Sequence, residues 1–289
     1  MATQRLRFAG LLTFLMALHL QTVAAFAEED SHRDRNVRRE NAIGEWRPGE
    51  VTEQPALSIN EPMYFVVGRD SGETIGRFQF SFKYRIFDAD GSVVQHAPWM
   101  ENLHFSYTQT SLWNLSADSK PFEDSSYRPS FFWEFRKQRT GARPDFLRAG
   151  YEHESNGQGG EDSRSIDTLF IFPAWEISLR EWNLFVGSKL YAYLDQDKEN
   201  SDIEDYRGYG DLILRYGQED GWLGAVLWRY GLEKRNSVQL DLSYPIRKPF
   251  LARAGGYFYL QAFHGYGESL LSYNQNQELA VRVGFAIVR

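Results

Sequence analysis

A histidine and a serine separated by a single residue provide two of the groups that nucleophilic ester hydrolysis needs. Residues 150–157 read Gly-Tyr-Glu-His-Glu-Ser-Asn-Gly, which places His153 and Ser155 two positions apart. A serine hydroxyl is a weak nucleophile near neutral pH, so it needs a histidine to take its proton and a third group to hold the imidazole. Because a His-x-Ser pair arises easily by chance, the prediction depends on where these side chains point.

The residues that precede this pair alternate as they do in a β-strand. Successive side chains of a strand point to opposite faces, and residues two apart are about 7 Å from each other along it. His153 and Ser155 therefore share one face, and their side chains must lean together to meet. The residues before them on that face are apolar, whereas the opposite face is charged: Leu147, Ala149 and Tyr151 against Arg148 and Glu152.

The next predicted strand offers a carboxylate for the same face. Asp167 alternates in phase with Leu169 and Ile171, so it can sit beside the histidine and orient its imidazole. Reactive polar residues on an otherwise apolar face are costly unless they have a function. We therefore predict His153, Ser155 and Asp167 as a catalytic group.

The same alternation runs through most of the chain. Similar runs occur at 75–86, 237–244 and 279–287, and a strand keeps the two sets of residues on two faces where a helix would mix them. About 12 candidate strands lie between residues 62 and 288, an even number as bacterial transmembrane barrels have. In the clearest run, five large apolar residues alternate with polar ones: Phe78, Phe80, Phe82, Tyr84 and Ile86.

Two architectures fit such strands, a soluble β-sandwich and a membrane barrel. A sandwich buries its apolar face in a core, whereas a membrane barrel turns that face to lipid and its polar face to the lumen. Runs of roughly 10 residues suit a tilted membrane-spanning strand, and an open sheet edge in lipid would leave backbone groups unpaired. We therefore predict an all-β fold, an antiparallel transmembrane β-barrel of about 12 strands, with the catalytic group on its outer wall.

The first 27 residues are predicted to be a secretory signal peptide. Two arginines precede a mostly apolar run at 8–20, and small residues suited to cleavage follow at 25–27. The alternative is a membrane anchor, which needs roughly 20 apolar residues. Residues 28–60 are predicted to form an irregular charged arm, and residues 61–289 the barrel. The net charge of −7 argues against a nucleic-acid partner, which usually requires a basic face.

Further motifs accompany the His-x-Ser pair along the chain: His153-x-Ser155-Asn156-Gly157, Ser163-Arg164-Ser165, Trp113-x-Leu115-Ser116 and Gly265-Tyr266-Gly267-Glu268-Ser269-Leu270. In this order and combination they resemble the bacterial outer-membrane phospholipase A family. The resemblance implies a barrel in the bacterial outer membrane that hydrolyses acyl esters of phospholipids, as phospholipase A1/A2 and lysophospholipase. It also implies dependence on calcium and an active homodimer embedded in the membrane.

The resemblance carries roles over to further residues of this chain. Gly157 would give a backbone N–H to the oxyanion. Calcium would be held by the Ser163 side chain, the Gln158 carbonyl and the Ser119 carbonyl of a second subunit. Gln109 matches a polar residue that the family buries at its dimer interface. The alternative is that Gln109 faces the lumen.

The chain departs from the family at one position of the catalytic group. The family usually has an asparagine where this chain has Asp167, although a carboxylate can orient an imidazole as well as an amide can. The main alternative function is a non-enzymatic barrel, a porin or structural protein, which would explain the strands and the signal peptide but not the catalytic group. A soluble, secreted esterase is a weaker alternative.

Overall fold

The computed structural model describes residues 55–70, 72–136, 143–218, 220–246 and 255–289. The predicted signal peptide and nearly all of the predicted arm lie outside these residues. The described chain contains these strands: β1 (Leu57–Ser58), β2 (Met63–Asp70), β3 (Glu73–Arg85), β4 (Leu103–Asn114), β5 (Phe122–Arg136), β6 (Phe146–Ser155), β7 (Ser165–Leu179), β8 (Trp182–Gln196), β9 (Gly210–Gly217), β10 (Leu223–Tyr230), β11 (Asn236–Pro245), β12 (Tyr257–Tyr266) and β13 (Asn276–Val288).

Strands β2 to β13 form a closed antiparallel barrel. Each pairs with its neighbours in sequence, and β13 also pairs with β2, so that the described sheet has no free edge along these strands. Closure satisfies the backbone groups that an open edge would leave unpaired in lipid. The two residues of β1 pair with Tyr84 and Lys83 of β3, beyond the part of β3 that β2 covers. The predicted barrel of about 12 strands is confirmed.

The two faces of the strands have the polarity of a membrane barrel. On β13, Arg282 is 0% exposed inside the lumen, whereas the next residue, Val283, is 61% exposed on the outer wall. On β3, Arg77 is buried and Phe80 is 49% exposed. A soluble sandwich would bury the apolar set instead, and an exposed apolar outer wall is typical of a barrel that faces lipid.

The lumen is lined by charged side chains that pair with one another. Glu134 accepts hydrogen bonds from Lys83 Nζ and Arg148 Nε near the end where the chain enters the barrel. Arg282 pairs with Glu268 and Asp70 near the opposite end. Buried charges that pair in this way compensate much of their desolvation cost, so these pairs connect nearby strands on the lumen side.

The segment before β2 also contributes to the lumen. Asn60 Oδ1 accepts from Arg148 Nη1 at 2.9 Å, and Glu61 Oε2 accepts from Arg128 Nη2 at 2.7 Å. Asn60 and Glu61 belong to the short segment that connects β1 to β2. Interactions with the barrel therefore begin a few residues before the predicted barrel boundary at residue 61.

In the described connections there are two five-residue α-helices, α1 (Ser92–His96) and α2 (Ile203–Arg207). Nothing helical in the described part of the chain has the length and apolar character that crossing a bilayer demands. Ile203 of α2 packs with Ile166, Leu270 and Tyr273 in an apolar cluster. Burial, and then a hydrogen bond to Asp202, raises the pKa of Tyr273. This cluster covers the barrel end at which β6 finishes, called the site end below.

Candidate active site

The pairing of β6 with β7 brings two of the three predicted catalytic residues into contact. His153 lies directly opposite Asp167 in the register of the two strands. The imidazole Nδ1 lies 2.8 Å from Asp167 Oδ1, within hydrogen-bonding distance. The side chains are 33% and 25% exposed, on the outer wall beside the exposed Leu169. A carboxylate at this distance orients the imidazole and leaves Nε2 free to act as the base.

Ser155 lies on the same face, two residues farther along β6. It pairs with Ser165 of β7 and with Tyr127 of β5, and its side chain is partly buried. Among the described residues no hydrogen bond joins Ser155 to His153. Contacts of this kind are often loose without substrate and tighten when it binds. The three predicted residues thus share one patch of the outer wall at the site end.

Tyr151 is a fourth member of this patch that the sequence prediction missed. Its hydroxyl donates a hydrogen bond to Asp167 Oδ1, the same oxygen that lies beside His153 Nδ1. The signal was present in the alternation, because Tyr151 precedes His153 by two residues on the same face. From the alternation alone, Tyr151 counts only as an apolar residue of the lipid-facing side.

Gly157 follows the end of β6 in a backbone conformation that favours glycine. Its φ is +69°, and a Cβ there would lie 3.1 Å from the ring of Tyr127. Glycine adopts this left-handed conformation without the steric cost that other residues meet. The residue keeps the backbone close to Ser155, at the position from which the predicted oxyanion N–H would act.

Asn156 fixes the loop that follows the catalytic strand. It is 4% exposed, and its Oδ1 accepts from the backbone N–H groups of Gln158 at 3.2 Å and Arg164 at 3.0 Å. Its Nδ2 donates to the carbonyl of Asp162 at 2.8 Å. The sequence singled out Asn156 as part of a motif, but its role in closing the loop needed the three-dimensional contacts.

The predicted calcium ligands occupy two separate loops. Ser163 and Gln158 belong to the loop after β6, and Ser163 Oγ donates to Asp197 Oδ2 at 2.7 Å. Ser119 lies exposed between β4 and β5, with a φ of 62°. No group of three or more histidine, cysteine, aspartate or glutamate side chains suited to a metal occurs in the described segments. The Ser163 hydroxyl and the Asp197 carboxylate nevertheless offer oxygen atoms of the kind that bind calcium.

Gln109 lies on the outer wall rather than in the lumen. It is directly opposite Phe80 of β3 and Tyr127 of β5, and all three side chains share one face. Its Nε2 donates to Ser111 Oγ at 3.3 Å, and its Oε1 accepts from Tyr107 OH at 3.2 Å. The alternative that Gln109 faces the lumen is therefore wrong.

Comparison with known proteins agrees with the motifs. A family model described as phospholipase A1 matches residues 58–287. Phospholipase A1 of Escherichia coli K12 is 34% identical over 190 residues, which are 63% of this chain and 60% of that relative. A putative phospholipase A1 of Neisseria meningitidis serogroup B is 31% identical over 183 residues, 61% of this chain and 46% of the relative. The matched region thus spans less than two thirds of these relatives.

Solved structures show the same barrel. The outer membrane phospholipase A from Escherichia coli matches with a TM-score of 0.68 and 25% identity, covering 86% of this chain and 96% of that one. A Salmonella typhi outer membrane phospholipase dimer with bound calcium matches with the same TM-score and identity, covering 83% and 95%. The family model covers most of the chain, and the barrel agrees with it. The chain therefore belongs to the phospholipase A1 family of bacterial outer-membrane β-barrels.

Proposed function

We propose that this protein hydrolyses the acyl esters of phospholipids on the outer wall of its barrel. Ser155 is the nucleophile, His153 the general base and Asp167 the residue that orients the imidazole. The observation that carries the proposal is the contact between His153 Nδ1 and Asp167 Oδ1 at 2.8 Å, beside Ser155 on the wall that faces lipid. The names of the relatives support the same substrate class.

The reaction follows from the positions of the protons. His153 Nε2 removes the proton of Ser155 Oγ as that oxygen attacks the ester carbonyl, and the hydrogen bond at Nδ1 steadies the resulting imidazolium. The N–H of Gly157 would stabilise the oxyanion. His153 then returns the proton to the leaving lysophospholipid oxygen. A water molecule, activated by the same histidine, releases the fatty acid and restores Ser155.

The position of Asp167 explains how either an aspartate or an asparagine can serve here. One oxygen of its carboxylate, Oδ1, lies within hydrogen-bonding distance of both His153 Nδ1 and the Tyr151 hydroxyl. An asparagine can present its single oxygen to the same two groups. The departure from the family's usual residue is therefore compatible with catalysis, and the hydroxyl of Tyr151 helps to compensate the carboxylate on a lipid-facing wall.

Calcium and a second subunit complete the proposal. The Ser163 hydroxyl and the Gln158 carbonyl would hold calcium together with the Ser119 carbonyl of a second copy. Asp197 stands within reach of Ser163. When bound, the ion would supply positive charge near the developing oxyanion. Support comes from the related Salmonella typhi dimer with bound calcium and from Gln109, which presents an amide on the lipid-facing wall.

A passive pore is the second function considered, and the lumen argues against it. Polar side chains reach into the lumen between strands that are not neighbours, from Arg77 of β3 to Gln239 of β11 and from Lys83 of β3 to Glu134 of β5. Porins keep a water-filled channel instead. A pore would also leave the contact between His153 and Asp167 on the outer wall without a purpose.

Phospholipid hydrolysis in detergent tests the proposal directly. Wild type and Ser155→Ala are compared, each with calcium and with a chelator. We expect activity only in wild type with calcium. Activity that survives in Ser155→Ala would discard the assigned nucleophile. A folded wild type without activity in either condition would instead leave the pore as the better hypothesis, to be checked by conductance in planar bilayers.

A further inference from the structure

Glu154 stands between the two reactive residues in sequence but points to the other side of the wall. Its side chain is buried in the lumen. Its Oε1 accepts from Ser126 Oγ at 2.6 Å, and its Oε2 accepts from Arg207 Nη1 at 2.8 Å. We propose that Glu154 is a positioning residue of the esterase: from the lumen it holds the end of β6 so that His153 and Ser155 keep their places. This inference rests on the proposed function.

The ladder between β5 and β6 is interrupted where such support is needed. The register pairs Ser130 with Glu152 and Tyr127 with Ser155, and the described structure has no paired residues between these two points. One of the β5 positions without a partner on β6 is Pro129, and proline has no N–H to donate to a ladder. The backbone that carries the catalytic histidine is therefore paired on the β7 side alone.

The partner of Glu154 comes from a firmly held segment. Arg207 closes α2, its side chain is buried, and its carbonyl accepts from Tyr191 OH at 3.1 Å. Gly208 follows with a φ of +69°, and a Cβ there would lie 2.0 Å from the carbonyl oxygen of Tyr230. The backbone of this loop packs closely against the end of β10, and moving it away would lose that packing. Arg207 therefore offers Glu154 a fixed point of attachment.

The same loop also contacts the strand beside the site, through the buried Asn200. Asn200 Oδ1 accepts from the backbone N–H of Ser165 at 3.1 Å, and its Nδ2 donates to the Ser165 carbonyl. Ser165 is the residue that pairs with Ser155. The loop between β8 and β9 thus fixes the strand next to the nucleophile through Asn200, and the nucleophile's own strand through Arg207.

A matched control exists at the opposite end of β6. Glu134 is as buried as Glu154 and pairs with Lys83 and with Arg148, which lies near the start of β6. Both glutamates therefore anchor the same strand through ion pairs in the lumen. Only Glu154 is adjacent to reactive residues. Glu154 forms an ion pair with one cation and Glu134 with three, so removing Glu134 is expected to cost at least as much stability as removing Glu154.

The test compares Glu154→Ala, Glu154→Gln and Glu134→Ala in the calcium-supplemented, detergent-solubilised protein. The readouts are kcat and KM for phospholipid, the rate at which an organophosphonate labels Ser155, and the heat-modifiable gel shift of the barrel. A small misplacement of reacting groups costs up to roughly 100-fold. We expect Glu154→Ala to lower kcat and the labelling rate by about 10- to 100-fold, with KM nearly unchanged. Glu154→Gln, which can still accept from Arg207 Nη1, should recover part of that loss.

Glu134→Ala should lower stability at least as much as Glu154→Ala does, while the folded barrel keeps wild-type kcat. Equal losses of kcat in Glu154→Ala and Glu134→Ala would overturn the inference, since they would show a general effect of stability. If Glu154→Ala does not fold, Arg207→Met is measured instead, because it removes the partner of Glu154 from the other side. An unchanged labelling rate in that variant overturns the inference. A wild type that neither hydrolyses phospholipid nor labels at Ser155 removes the proposed function itself, whereas an active wild type with unaffected Glu154 variants removes only this inference.

Discussion

The two faces of β6 differ in how firmly their side chains are held. On the outer wall, His153 and Ser155 have few partners and partly exposed side chains. On the lumen side, Arg148 and Glu154 are held by ion pairs and hydrogen bonds to other strands. A polar group that faces lipid lowers stability, so it is expected there only where it has a function. The paired charges on the lumen side instead connect β6 to other parts of the barrel. The comparison predicts that activity and stability can be lost separately.

The largest effect is expected from the outer wall. Ser155→Ala should lower kcat by roughly 10⁴- to 10⁶-fold, because the substitution removes the proposed nucleophile of the reaction. The thermal midpoint should stay within a few degrees of wild type, since the hydroxyl has little part in the lumen network. Activity and the heat-modifiable gel shift, measured on the same preparation, test both halves of this expectation. A large loss of stability in this variant would break the division between the faces.

The lumen is expected to show the opposite behaviour. Arg282→Ala removes the buried cation that pairs with Glu268 and Asp70 inside the barrel, and breaking a buried pair costs about 3–5 kcal/mol. Urea titration of the refolded barrel in detergent should show this loss of unfolding free energy. The fraction that remains folded should retain its kcat.

Val283→Ala is the matched control, because Val283 follows Arg282 in sequence and points outward. Its expected change is under about 1 kcal/mol. Equal destabilisation by the two substitutions would contradict the proposed importance of the lumen pairs.

The sequence predicted the outer wall better than the lumen, for a physical reason. Alternation with period two assigns each strand residue to a face without knowledge of its partners, and so it placed Asp167 and His153 on one wall. Lumen contacts join strands far apart in the chain. Arg77, for example, reaches Gln239 and Gln261, and periodicity carries no information about such pairs. Tyr151 was missed because a tyrosine on a lipid-facing strand is expected without any catalytic role.

Substitution of Asp167 should have a smaller effect than removal of the nucleophile. Asp167→Ala leaves His153 Nδ1 without its partner, so kcat should fall by about 10²- to 10⁴-fold. Asp167→Asn should retain most of the activity, because one amide oxygen can face both His153 and the Tyr151 hydroxyl. Steady-state hydrolysis of a short-chain phospholipid compares the two variants. If both lost activity equally, a carboxylate charge, rather than the oxygen's position, would be essential.

The smallest effect is expected at Tyr151, and it depends on what occupies position 167. A carboxylate has two equivalent oxygens, so Asp167 can hold the imidazole without help, and Tyr151→Phe alone should cost only a few-fold in kcat. An asparagine must turn its oxygen, and not its amino group, toward His153 Nδ1, or the histidine takes the wrong tautomer. The Tyr151 hydroxyl donates to that oxygen, and so selects the productive orientation.

Tyr151→Phe should therefore lower kcat about tenfold more in the Asp167→Asn background than in wild type, a coupling that a double-mutant cycle measures. Additive losses would show that Tyr151 only fills space on the lipid-facing wall and that the imidazole is oriented by Asp167 alone.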